Sequence, residues 1–106
     1  MKTGTMLIAL VFLFPSFSYA AQIFGSLRKQ GGAPVAGAIE INCGGQIYRG
    51  NADANGSYSV FVPRQDKCSL TVFYENRTSM PMSIFSYSDP TRYDFELLSS
   101  GELRRR

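Results

Sequence analysis

Residues 38–43 of the chain read AIEINC, and residues 68–74 read CSLTVFY. Apolar and polar side chains alternate in both stretches, which is the pattern of a β-strand with one buried face. Cys43 ends the first stretch and Cys68 begins the second, and each cysteine shares its face with aliphatic side chains. The two stretches therefore predict two strands, each with one cysteine on its inward face.

Strand signals recur along the chain after residue 20, separated by turns rich in glycine, proline and asparagine, without a sustained helical repeat. Five more strands are predicted, at 22–27, 46–52, 57–62, 82–87 and 92–98. Seven short strands without a helix predict an all-β fold, a seven-stranded antiparallel Greek-key β-sandwich. In that topology the second and fifth strands are commonly neighbours, which would place Cys43 beside Cys68.

The first 20 residues have the organisation of a cleavable signal peptide. Lys2 supplies a positive charge, Met6–Phe14 is an unbroken apolar run, and Ser18 and Ala20 place small residues where a signal peptidase reads them. The apolar run is much shorter than the roughly 20 residues needed to span a bilayer. We therefore expect residues 1–20 to be removed, leaving a secreted or periplasmic chain with no stable membrane insertion.

Export sets the chemistry expected of the cysteines. Cys43 and Cys68 are the only two in the chain, and an even number in an oxidising compartment predicts a disulfide bond. Their spacing does not resemble a C-x-x-C redox motif. The loop that the bond would close contributes roughly 3–3.5 kcal/mol to stability in the chain-entropy model.

The composition excludes several classes of site. The chain has no histidine, which excludes Ser-His-Asp and Cys-His nucleophiles and histidine-ligated zinc. Of its 11 basic residues, one is Lys2 and three are Arg104, Arg105 and Arg106, so the body carries seven against 8 acidic residues. A body without net positive charge argues against nucleic-acid binding. We expect no metal, no cofactor and no catalytic residue.

The three terminal arginines lie in a segment, residues 99–106, that reads as a short polar extension after a domain spanning 21–98. They are candidate contacts for an anionic partner. Tails of this kind are more often simply solvated, and that alternative stays open.

Several turn and strand motifs resemble those of carboxypeptidase regulatory-like domains, and they cover residues 22–74 best. The matching segments are Gly25-Ser26-Leu27, Gly32-Ala33-Pro34-Val35-Ala36-Gly37-Ala38-Ile39, Asp53-Ala54-Asn55-Gly56-Ser57-Tyr58-Ser59-Val60 and Val62-Pro63. The chain departs from the family pattern at Ala52, where a threonine is common. The resemblance implies a prealbumin-like sandwich, as in transthyretin, which serves as an accessory domain in multidomain relatives. Hydrolases related to transthyretin depend on histidine, which this chain lacks.

The hairpin around Asp53, Asn55 and Gly56 has a physical explanation of its own. Gly56 is expected to supply the positive φ that a short loop needs, while Asp53 and Asn55 can cap backbone N–H groups. Tyr58 would then place its ring between the sheets. The same residues faintly resemble a calcium loop, but no bidentate glutamate follows at the required spacing. We therefore interpret them as a structural turn.

Aromatic side chains are the main candidates for binding. If Tyr58 and Leu70 face the core, the alternation turns Phe61 and Phe73 outward, and Phe85 and Tyr87 share one face of their strand. These four either complete the edges of the core or form a surface for a partner. The sequence thus predicts an exported, non-enzymatic accessory or binding domain for a protein or glycan. The alternative is a subunit of a surface structure joined through sheet edges.

Overall fold

The computed structural model describes residues 22–106, and the expected signal peptide lies outside them. Within this range the fold is all-β without a helix, as predicted. The strands are β1 (Gln22–Lys29), β2 (Gly37–Cys43), β3 (Gln46–Ala52), β4 (Ser57–Phe61), β5 (Asp66–Tyr74), β6 (Arg77–Thr78), β7 (Met82–Ser86), β8 (Thr91–Arg92), β9 (Phe95–Leu97) and β10 (Leu103–Arg105). Among these residues no helix could cross a membrane.

The strands form one strongly curled sheet. Its order is β10-β9-β1-β4-β3-β2-β5-β6, while β7 also pairs with β5 and β8 with β1. The pairs are antiparallel except that β1 runs parallel to β8 and β9. The curl leaves the β6–β7 side and the β10 side as its two borders.

The core follows from the alternation along these strands. In β4 and β5, inward residues are buried and their neighbours are exposed or half-buried. The largest fully buried side chains are Phe95, Ile23, Leu27, Ile39, Ile41 and Leu70. They come from both halves of the chain, so one apolar cluster holds the curl together.

The predicted disulfide is confirmed. β2 and β5 pair with Asn42 opposite Ser69, so the next pair in that register is Cys43 with Cys68. Their Cα atoms are 4.4 Å apart and the sulfurs are bonded. Both residues are buried. The bond therefore continues the β2–β5 ladder covalently at one end of the core.

The turn prediction also agrees with the structure. Gly56 has φ +81°, and a Cβ there would lie 2.4 Å from the Leu27 carbonyl oxygen. Asp53 Oδ1 accepts hydrogen bonds from the N–H groups of Asn55 at 2.9 Å and Ser57 at 3.1 Å. The capping oxygen belongs to Asp53, and Asn55 takes part through its backbone. This motif fixes how the β3–β4 hairpin lies against β1.

The C-terminal segment differs from its prediction as a polar extension. Within 99–106, Leu103 is only 9% exposed, and Leu103–Arg105 forms a strand antiparallel to β9. Leu103 extends the core, while Arg104 forms an ion pair with Glu96 on the neighbouring strand. The strand could not be recognised within the run of arginines, because only one of the three positions in the strand needs to be apolar.

The predicted strand at 92–98 is present as two pieces. Ile23 lies opposite Thr91, and Leu27 lies opposite Phe95. Both pairs have the same sequence offset, so β8 and β9 continue one register along β1. The ladder is interrupted between them, and the hydrogen-bonded side chain of Asp94 lies at the interruption.

Candidate functional site

A polar network occupies the interruption between β8 and β9. The buried Tyr58 hydroxyl donates a 2.6 Å hydrogen bond to the Tyr93 carbonyl. Asp94 Oδ1 accepts bonds of 2.9 Å from both the N–H and the hydroxyl of Ser26. Gly25 makes room, since a Cβ there would lie 1.9 Å from the Tyr93 carbonyl oxygen. Side chains thus add to the backbone bonding at this point, where the Tyr93 N–H still donates a 2.8 Å hydrogen bond to the Phe24 carbonyl of β1.

The network has a definite charge state. Burial raises the pKa of Tyr58 well above its ordinary value, and the nearby Asp94 carboxylate acts in the same direction. The hydrogen bond from Arg92 holds the pKa of Asp94 below its ordinary value, and the two bonds from Ser26 also lower it. Tyr58 is therefore neutral and Asp94 ionised at neutral pH, which suits a structural connection and leaves no poised acid–base pair.

Tyr93 also connects the two borders of the sheet. Its hydroxyl accepts a hydrogen bond from the Phe85 N–H and donates one to the Phe85 carbonyl, each 3.0 Å long. Its ring is stacked with Phe95 at a centroid distance of 5.9 Å, and the Arg105 guanidinium lies 4.8 Å from the ring centroid. Tyr93 is only 6% exposed. This residue therefore reaches from the β8–β9 side to the outer edge of β7.

The four candidate aromatic side chains are all exposed but do not form one surface. Phe61 on β4 and Phe73 on β5 are separated by two intervening strands. Phe85 lies opposite Lys67, six residues along β5 from Phe73, which corresponds to about 20 Å. Only Phe85 and Tyr87 meet, with ring centroids 4.8 Å apart. The structure thus reduces the predicted strip to one aromatic pair beside the β7 edge.

The terminal arginines are held by the fold. Arg104 pairs with Glu96, and Arg105 lies over Tyr93. The Arg106 N–H donates a 2.9 Å hydrogen bond to the Asp94 carbonyl. Two of the three side chains therefore have intramolecular partners, which weakens the case for a basic tail that meets an anionic surface.

A cavity of about 230 Å³ lies between the β5–β6 turn and the end of β9. Lys29 and Glu75 form a 2.8 Å ion pair at its rim, and Tyr74, Arg77 and Leu97 contribute to its lining. The Lys29 bond lowers the pKa of the exposed Glu75. The ion pair neutralises two of the three charged side chains that line the cavity and leaves Arg77, so the cavity carries little chemistry.

No cluster of three or more potential metal-binding side chains occurs in residues 22–106. The acidic side chains are dispersed over the described part of the chain. Glu40 pairs with Arg49, Asp66 with Arg64, and Asp94 with Arg92, in separate surface ion pairs. This arrangement offers neither a metal site nor two carboxylates facing one substrate.

Sequence reasoning missed the role of Tyr93 and Asp94. The letters RYDFEL at residues 92–97 alternate without a break, so nothing in the pattern indicates that the ladder is interrupted. The available signal was Gly25 followed by Ser26. Gly25 is a small residue that leaves room for a neighbouring strand, and Ser26 offers a hydroxyl to it. Comparison of the sequence with protein-family models and with curated proteins finds no match.

Proposed function

We propose that this protein is an exported, non-enzymatic β-sandwich domain, of carboxypeptidase regulatory-like type, that binds a protein or glycan partner. The observation that carries the binding role is the Phe85–Tyr87 pair. The two side chains are 39% and 51% exposed and touch each other beside an open strand edge. Exposed aromatic pairs present a rigid, amphipathic surface at low entropic cost, as interfaces require.

One feature of the curled sheet supports a sandwich. β3 and β4 are paired only through Ala52 and Tyr58, whereas β2 and β3 pair along their whole length. A sheet joined so weakly at one place can fold there into two facing layers. The layers would be β4-β1-β9-β10 and β3-β2-β5-β7, with the common core between them.

The proposed export rests on the N-terminal sequence together with the disulfide. A buried Cys43–Cys68 bond is compatible with an oxidising compartment. Mass spectrometry of the protein recovered from the periplasm or the medium should give a chain that begins at Ala21. A product that begins at Met1 would contradict the export proposal.

The binding role predicts which aromatic side chains matter. A Phe85→Ala/Tyr87→Ala double variant should lose capture of partners from envelope extracts and binding to glycan arrays. Phe61→Ala is the matched control, since Phe61 is similarly exposed but lies on another strand. Circular dichroism should show that both variants fold. Equal binding by the wild type, the double variant and the control would refute a role for this pair.

A second candidate function is assembly into a surface structure through sheet edges. The observation that favours it is that the curled sheet is open, with β7 and β10 each paired on one side within the described chain. Open edges are sites for strand addition. Size-exclusion chromatography distinguishes the two roles, because a stable monomer disfavours assembly.

A further inference from the structure

The outer edge of β7 has backbone groups that face away from the sheet. β7 pairs with β5, with Phe85 opposite Lys67 and Ser83 opposite Ser69. The Phe85 N–H and carbonyl bond to Tyr93 and therefore point away from β5. Backbone direction alternates with a period of two along a strand, so Ser83 turns its N–H and carbonyl the same way. No strand of residues 22–106 pairs with that side.

The two open edges differ in charge. β10 carries Arg104 and Arg105, which is a common way to prevent edge-to-edge pairing. By contrast, residues 78–88 contain no charged side chain, and 82–87, read MSIFSY, contain no proline or glycine either. An uncharged, β-forming strand at an edge pairs readily with another copy of itself.

The β7 edge is self-complementary in one register. If two copies meet antiparallel with Phe85 opposite Phe85 of the other copy, Ser83 of each lies opposite Tyr87 of the other. The outward N–H and carbonyl groups of these residues then face each other as hydrogen-bonded pairs. The exposed Phe85 rings become direct cross-strand neighbours on the outer face, an arrangement that stabilises sheets. Such an interface has the two-fold symmetry that most homodimers use.

The Tyr93 hydroxyl occupies the centre of this edge. One oxygen atom both accepts from the Phe85 N–H and donates to its carbonyl. These are the two bonds that a partner strand would make at Phe85 in the register above. The ring is held in place by Phe95 on one strand and Arg105 on the next. The hydroxyl is thus a substitute for the partner's peptide group.

We propose that the outer edge of β7 is an interface for a second copy of this chain, and that the Tyr93 hydroxyl keeps it closed in the monomer. The proposal rests on the assembly role given above as the second candidate function. The partner of the β7 edge is the same edge of the second copy. The edge becomes available when the two hydrogen bonds between the Tyr93 hydroxyl and Phe85 are released. Removing the hydroxyl should therefore strengthen self-association.

The test is Tyr93→Phe in the purified exported protein, with sedimentation velocity measured over a concentration series. We expect the wild type to associate only weakly, at the highest concentrations of the series, and the variant to form dimers, with self-association strengthened roughly tenfold or more. Tyr58→Phe is the matched control, because it removes another buried tyrosine hydroxyl that does not contact β7. It should associate no more strongly than the wild type. Equal dimerisation of the two variants would indicate mere destabilisation and overturn the proposal.

A second pair of variants locates the interface. Tyr93→Phe/Phe85→Lys places two like charges opposite each other and should restore the monomer. Tyr93→Phe/Phe73→Lys adds the same charge at a similarly exposed residue about 20 Å away and should still dimerise. A dimer that survives Phe85→Lys, or a Tyr93→Phe variant that stays monomeric, refutes the proposed interface.

The wild type provides the answer if Tyr93→Phe does not fold. At the highest soluble concentration it should show weak self-association that Phe85→Lys abolishes and Phe73→Lys leaves unchanged. No association, or equal sensitivity to both lysines, overturns the proposal. These measurements contain no partner, whereas the binding role is read from capture by the Phe85→Ala/Tyr87→Ala variant. A failure of the self-association proposal therefore does not decide the binding proposal, and a failure of the binding proposal does not decide self-association.

Discussion

Gly25→Ala is expected to be among the most damaging single substitutions in the domain. The added Cβ would lie 1.9 Å from the Tyr93 carbonyl oxygen, whereas carbon and oxygen approach to about 3.3 Å. One of the two strands must therefore move by about 1.4 Å. The Tyr58 hydroxyl, now 2.6 Å from that oxygen, would be left beyond hydrogen-bond distance.

The energetic cost can be estimated from these contacts. An unsatisfied buried carbonyl costs about 1–3 kcal/mol, and forcing atoms into a packed site adds about 1–3 kcal/mol. We expect a loss of about 3–5 kcal/mol, which is a large share of the roughly 5–15 kcal/mol of a typical domain. Urea unfolding followed by circular dichroism measures it.

Gly31→Ala separates the clash from the backbone penalty. Gly31 has φ +100° with no atom within 4 Å of the added Cβ, so its substitution should cost only about 1–2 kcal/mol. The Gly25→Ala/Tyr58→Phe double variant should lose less than the sum of the two single losses, because both break the same hydrogen bond. A Gly25→Ala variant within 1 kcal/mol of Gly31→Ala would refute the explanation of this network.

Three further outcomes are expected. Replacing Cys43 and Cys68 by alanine should lower the free energy of unfolding by about 3.5 kcal/mol in guanidinium titrations, because the bond closes a separation of 25 residues; an unchanged midpoint would contradict this. Phe61→Ala, at a side chain 48% exposed, should cost under about 1 kcal/mol, whereas Phe95→Ala, at a fully buried one, should cost about 3–5 kcal/mol; equal losses would argue against the assigned faces. Stability should fall as pH rises above about 10, because the pKa of Tyr58 is higher in the folded than in the unfolded chain; Tyr58→Phe should remove this dependence, and a persisting one would exclude Tyr58 as its source.

The fold class could be predicted because its signals are local. Alternation in 38–43 and 68–74 fixed which side chains face inward, and the cysteines on that face indicated which strands are neighbours. The turn at Gly56 could be predicted because few residues other than glycine adopt its backbone conformation. These features depend on residues close together in sequence, or on a covalent bond between two of them.

The candidate site was less predictable because it depends on contacts between distant residues. Ser26 and Asp94 are 68 residues apart, and no pattern in either segment indicates that the two residues are in contact. Exposure of Phe61 and Phe73 followed from alternation, but their separation depends on the order of strands in the sheet. Leu103 was assigned to a solvated tail because a three-residue strand has too few positions to show a pattern.

The pairing of β1 has a consequence for the order of folding. Its first residues lie beside a segment 68 positions further along the chain, as Ile23 opposite Thr91 illustrates. Synthesis of the amino-terminal half can build the β2–β3 hairpin, but β1 must wait for the last-made segment before its second side is covered. Contacts of such long range make folding slow relative to helical domains of this size. The pairing of β1 is therefore completed only after nearly all of the chain has been made.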